Sequence, residues 1–95
     1  MPVKVIAHID VVPEYLKEVL AIQKEAVGIT LKEPGCIEYA LYQQSDAPEK
    51  LTFVETWESP EALKVHSNTS YFIEKGKLLT GKIAAKDVRT YALVE

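Results

Sequence analysis

The side chains best suited to chemistry lie in one stretch, Leu51 to Phe72, LTFVETWESPEALKVHSNTSYF. Histidine ordinarily titrates near neutral pH, so His66 is a candidate general base for a phenolic hydroxyl or for a carbon acid beside a carbonyl. Glu55 is a second candidate, able to orient His66 or to move a proton itself where burial raises its pKa. Trp57 offers an indole on which a planar molecule can stack, and Phe53, Tyr71 and Phe72 supply further aromatic surface nearby. Each also has a plainer reading. His66 can be a helix histidine satisfied by a neighbour, Glu55 a strand-end carboxylate paired with a lysine, and Trp57 a plug between sheet and helix. Tyr39 reads as packing. His8 ranks below His66, because strand alternation sets it on the opposite side from Ile9.

The elements that must position these groups follow from periodicity. Over Leu51 to Glu58 the residues alternate, placing Leu51, Phe53, Glu55 and Trp57 on one side of a strand. Ser59 then reads as an N-cap, Pro60 as the first helical residue and Glu61 as a first-turn carboxylate suited to the helix dipole. In that helix Ala62, Leu63 and His66 share an apolar stripe. Earlier in the chain, Val3 to Val11 predicts a strand. Pro13 to about Lys32 predicts a helix with Leu16, Leu20, Gln23, Val27 and Leu31 in one line, widened by Val19, Ile22, Ala26 and Ile29, and mildly weakened at Gly28. Glu33-Pro34-Gly35 stops that helix. Cys36 to Gln44 predicts a strand with Ile37, Tyr39, Leu41 and Gln43 on one side, and Ser45 to Lys50 a hairpin connection. Ser67 to Ser70 should break the second helix, Tyr71 to Leu79 resumes it, and Lys86 to Val94 predicts the last strand. The order βαββαβ specifies an α+β, ferredoxin-like domain over residues 1–95, with helices on one face of an antiparallel sheet.

Composition narrows the partners. A formal charge of −3 and a pI near 5.4, with no basic stripe, argue against nucleic acid. Cys36 is the only cysteine, so no internal disulfide and no cysteine-rich metal cage are expected. Neither histidine has a spaced partner for a zinc or iron site, and no glycine-rich nucleotide loop occurs, so no metal and no cofactor are expected. The N-terminal segment is interrupted by Lys4, His8 and Asp10, unlike a signal peptide, and no run is long enough to span a membrane. A reducing cytoplasm is the expected location. Two helices cover only one sheet face, so the face carrying Ile6, His8, Ala40, Tyr42 and Val54 calls for a second copy, and a homodimer is expected.

Several of these residues also follow one another in a telling order: Glu33-Pro34-Gly35-Cys36-Ile37 with Tyr39 and Tyr42, then Glu55-Thr56-Trp57-Glu58-Ser59, Glu61-Ala62-Leu63, and His66 with Phe72. The pattern resembles the antibiotic biosynthesis monooxygenase family over essentially the whole chain. The resemblance implies a dimeric α/β barrel and, for the quinol monooxygenase type, oxidation of quinols, anthrones or related aromatics by dioxygen without metal or flavin. The family also includes haem-degrading enzymes and an isomerase of a phosphorylated autoinducer sugar, and a non-catalytic ligand-binding dimer is a third reading. By this resemblance His66 stands at the family's helix histidine, Trp57 at its pocket tryptophan and Glu55 at a common strand glutamate. Two departures stand out. Ser70-Tyr71-Phe72 replaces a frequent Pro-His-Phe, removing a second pocket histidine. Ile9 stands where the haem-degrading branch has an asparagine, which argues against haem turnover. The resulting expectation is His66 and Glu55 as catalytic groups, with Trp57, Phe53, Ile9, Tyr71 and Phe72 contacting the substrate.

Overall fold

A computed structural model describes residues 1–95. The elements are β1 (Val3–Val11), a 3₁₀ turn (Pro13–Tyr15), α1 (Leu16–Thr30), β2 (Cys36–Gln44), β3 (Ala47–Trp57), α2 (Pro60–Ser67), α3 (Ser70–Leu78) and β4 (Ile83–Tyr91). The strands form one antiparallel sheet in the order β2-β3-β1-β4. This is the βαββαβ arrangement expected from the sequence, with its helical run divided where Asn68 and Thr69 intervene.

Register decides which side chains face the helices. Val5 pairs with Glu55, Ala7 with Phe53 and Ile9 with Leu51, while Tyr39 pairs with Glu55 from the other side. Because side chains alternate along a strand, these residues and Trp57 point together toward the helical layer, where they are buried. The N-cap of α2 is as the sequence specifies: Ala62 N–H donates to Ser59 Oγ at 3.2 Å. Thr69 caps α3 through a 3.1 Å bond from Phe72 N–H, while its own hydroxyl donates to the His66 carbonyl at 3.0 Å. One threonine side chain therefore fixes the angle between the two helices.

Several details differ from the sequence expectation. The first helix begins with a 3₁₀ turn at Pro13, and its buried line is Val19, Gln23, Ala26 and Thr30 rather than the one through Leu31, which is exposed. The predicted Ser45–Lys50 connection shrinks to a turn at Ser45 and Asp46. The ladder continues down to Ala47, helped by Gln43 Nε2 donating to the Pro48 carbonyl at 2.8 Å and by the Lys50–Asp10 ion pair. A register shift between Cys36 and Glu38 turns Ile37 out to solvent. The last strand starts earlier, at Ile83, and its ladder ends at Tyr91 because Lys4 is the last β1 partner. Beyond the cover of the helices, β4 is bare, so that even the inward-facing Val88 is 53 % exposed.

Gly35 ties the turn after α1 to the start of α2. Its backbone is left-handed at φ 83°, its carbonyl accepts from Glu58 N–H at 2.8 Å, and a Cβ built there would lie 2.6 Å from Ala62 Cβ. Gly81 is also left-handed but faces open space. Urea denaturation should therefore show Gly35→Ala destabilised by about 2–4 kcal/mol, from backbone strain plus overpacking, and Gly81→Ala by only about 1 kcal/mol. Equal costs would mean that the Ala62 contact does not constrain the turn.

Candidate active site

A cavity of about 420 Å³ lies between the sheet and the helices, a volume suited to a small organic molecule. Of the residues expected to touch a substrate, His66, Glu55, Phe53, Ile9 and Phe72 line it. Two others do not. Trp57 is fully buried beneath His66, and supports the cavity wall without forming its surface. Tyr71 sits in a separate groove between α1 and α3, its hydroxyl 3.5 Å from Glu25 Oε1. The reason is helical geometry: Phe72 takes the inward position, and the residue before it is rotated away by about 100°.

His66 is 4 % exposed and enclosed on several sides. Its ring lies 4.6 Å from Trp57 in a tilted stack, 5.0 Å from Phe72 and 5.8 Å from Tyr39, the last two edge-on. Its polar partner is Glu33, from the turn after α1, whose carboxylate oxygens lie 3.0 and 3.2 Å from Nδ1. A carboxylate at Nδ1 favours the tautomer with the proton there, leaving Nε2 as a bare acceptor. Since Glu33 does not line the cavity and His66 does, Nε2 is the nitrogen offered to a ligand.

Glu55 does not orient His66. Its Oε1 accepts from Trp57 Nε1 at 2.9 Å, so the carboxylate fixes the indole that in turn supports the imidazole. Burial raises the Glu55 pKa, opposed by the Trp57 hydrogen bond and by His66. Burial raises the Tyr39 hydroxyl in the same way, consistent with its role as a packed wall. Lys75 also faces the cavity, its ammonium 5.4 Å from the Phe53 centroid and 5.5 Å from that of Phe72. Burial lowers its pKa while Glu55 pulls the other way. No group of three or more His, Cys, Asp or Glu side chains converges to hold a metal ion. His8 lies on the opposite sheet face, bonded through Nδ1 to Thr52 Oγ1 at 3.0 Å.

Glu33, which holds His66, and the cavity residues Lys75 and Gln23 went unrecognised as site residues in the sequence. Glu33 reads there as part of a helix stop, and no spacing rule links it to a histidine 33 positions away. Lys75 sits in an ordinary charged run. Gln23 did carry a signal, being the one polar member of an apolar helix line.

The model of the antibiotic biosynthesis monooxygenase family matches residues 2–74. The chain belongs to that family. An uncharacterised Synechocystis sp. protein is 31 % identical over 97 residues, covering 99 % of this chain and 65 % of that protein. An uncharacterised Bacillus subtilis protein, YjcS, is 33 % identical over 64 residues, covering 67 % of this chain and 57 % of its own length. The chain thus spans less than two thirds of these curated relatives. Among solved structures, a conserved protein from Methanosarcina mazei Go1 superimposes with a TM-score of 0.89 at 33 % identity, covering 96 % of this chain and 91 % of the other. An antibiotic biosynthesis monooxygenase superimposes at 0.93 with 30 % identity, covering 98 % and 99 %. No helix is long and apolar enough to cross a membrane.

Because burial raises the folded-state pKa of Glu55, the unfolded chain ionises first as pH rises. The folded state then holds the extra proton, and its stability falls with pH from about 4.3 up to the raised value. Glu55→Gln keeps an acceptor for Trp57 without that penalty. Thermal melts should show the variant at least as stable as the parent at pH 7, with any advantage shrinking as pH falls from the raised value toward about 4.3. An advantage that grows on acidification would contradict the burial argument.

Proposed function

We propose that the chain is a monooxygenase that oxidises a small aromatic or quinol-type substrate with dioxygen, independently of cofactor, with His66 as general base. The observation that carries this reading is the imidazole held at Nδ1 by Glu33 in the lining of a cavity walled by Phe53, Phe72 and Ile9. Nε2 takes the proton of a phenolic hydroxyl. The phenolate passes one electron to dioxygen, and the ring radical and superoxide combine at a ring carbon to form a peroxide. Loss of the ring hydrogen and cleavage of the O–O bond then leave a new carbonyl and one water. A quinol and dioxygen thus become a hydroxyquinone and water, with no external reductant. The protein's part is to desolvate the ring, remove the proton and retain the charged intermediate.

Oxygen uptake by metal-free protein with a panel of hydroquinones and naphthalenediols tests this reading against protein-free autoxidation. Uptake should exceed that control, and His66→Ala should lower turnover by about two to four orders of magnitude. Unchanged turnover in His66→Ala, or no protein-dependent uptake with any member of the panel, would overturn it. In the latter case proton transfer beside a carbonyl, as in an isomerase, would be the next chemistry to assay with the same base.

A homodimer belongs to the same proposal. The sheet face away from the helices carries half-buried Ile6, Ala40 and Val54 between the more exposed Tyr42 and Tyr91. A second copy packed there would cover this apolar centre and the bare β4, closing two sheets into a barrel. Light scattering at low micromolar concentration should give twice the 10.6 kDa chain mass, and Val54→Lys should give the monomer. A monomeric parent chain would refute the dimer without touching the chemistry.

A further inference from the structure

The cavity holds two polar groups that the proton transfer above does not use. Gln23, from α1, is 2 % exposed, lines the cavity, and has an Oε1 with no hydrogen-bond partner. Helix positions facing a cavity wall readily take leucine or methionine, and an unpartnered buried amide is destabilising, so its presence calls for a polar group on whatever fills the cavity. Lys75, from α3, is 9 % exposed and lines the same cavity. None of the chain's ion pairs includes it. Glu55, the carboxylate facing it across the cavity, is already engaged by Trp57 Nε1. Lys86, on the bare strand β4, adds a second unpaired cation to the lining. The titratable lining is then Tyr39, Glu55, His66, Lys75 and Lys86, with Glu33 behind the imidazole.

We infer that the cavity's ligand is a planar aromatic carrying an ionised oxygen group, a carboxylate or phenolate received by Lys75, and a hydroxyl that reaches Gln23. Lysine stems pack well on rings while the ammonium seeks an anion, and here the ammonium lies near Phe53 and Phe72 with no carboxylate within ion-pair distance. Phe72 is shared: the His66 ring lies 5.0 Å from it and the Lys75 ammonium 5.5 Å. The anionic group and the proton to be removed therefore belong to one compact ring system. The aromatic and aliphatic walls suit that ring better than a sugar, which would leave its hydroxyls unmatched. This inference rests on reading the cavity as a substrate site, and does not depend on the oxygen chemistry.

Isothermal titration calorimetry at pH 7 with 6-hydroxy-2-naphthoate, its methyl ester and 2-naphthoate tests the inference by binding alone. The hydroxy acid should bind the parent chain at least about tenfold tighter than its ester, and about fivefold tighter than the acid lacking the hydroxyl. Lys75→Met should bring acid and ester within about twofold, Lys75→Arg should restore the preference, and Gln23→Leu should abolish the gain from the hydroxyl. Lys75→Met removes a buried charge at similar volume and is expected to fold. The acid–ester comparison on the parent chain needs no variant. An ester that binds as tightly as the acid, an acid preference that survives in Lys75→Met, or no binding of the acid at all would overturn the inference. Tight acid binding without oxygen uptake by any hydroxylated ring would instead defeat only the oxygenase reading.

Discussion

The hydrogen bond between Glu33 and His66 is the contact on which the arrangement depends. It joins the turn after α1 to the second helix across 33 positions of sequence. It exists because Gly35 allows that turn to lie against Ala62 while receiving the Glu58 amide. A side chain at residue 35 would force these segments apart, and the imidazole would lose the carboxylate that fixes its tautomer. Trp57 closes the arrangement from below by stacking on the ring and donating to Glu55. Two carboxylates thus serve one imidazole differently: Glu33 sets where its proton sits, and Glu55 sets where its ring rests.

The cavity is not what stability alone would select. Glu55, Lys75 and Gln23 are all buried around it, and apolar residues of similar shape would fill the space at lower cost. Sites that hold charged or unpartnered groups in a dry pocket commonly trade fold stability for binding and chemistry. The same trade appears in the layout of the sheet. Helices cover β1, β2 and β3 but stop short of β4, so the cavity reaches the bare strand through Ile83, Lys86 and Val88.

Most of the fold could be read from the sequence because its rules are local. Alternation over Leu51 to Trp57 placed four side chains inward, and Ser59-Pro60-Glu61 marked where the next helix begins. The departures arose where a partner strand overrode local composition. Pairing with β2 drew the polar residues after Asp46 into β3, and pairing with β1 moved the last strand toward Ile83. For the site, His66, Glu55, Phe53, Ile9 and Phe72 were visible in advance because strand and helix periods aim them at one space. Tyr71 was misplaced because neighbours on a helix face different ways. Glu33 and Lys75 were invisible because tertiary packing brings the one to His66 and the other to Phe53, which no period encodes.

The central claim is that Glu33 holds the proton of neutral His66 on Nδ1 so that Nε2 can act as the base. Nitrogen-15 NMR of imidazole-labelled protein separates the two neutral tautomers directly. The geometry predicts a protonated Nδ1 and a bare Nε2 for His66, reverting toward the Nε2-protonated form when Glu33 is replaced by alanine. A His66 protonated on Nε2 in the unaltered chain would contradict the account, because the nitrogen facing the cavity would then be a donor rather than a base.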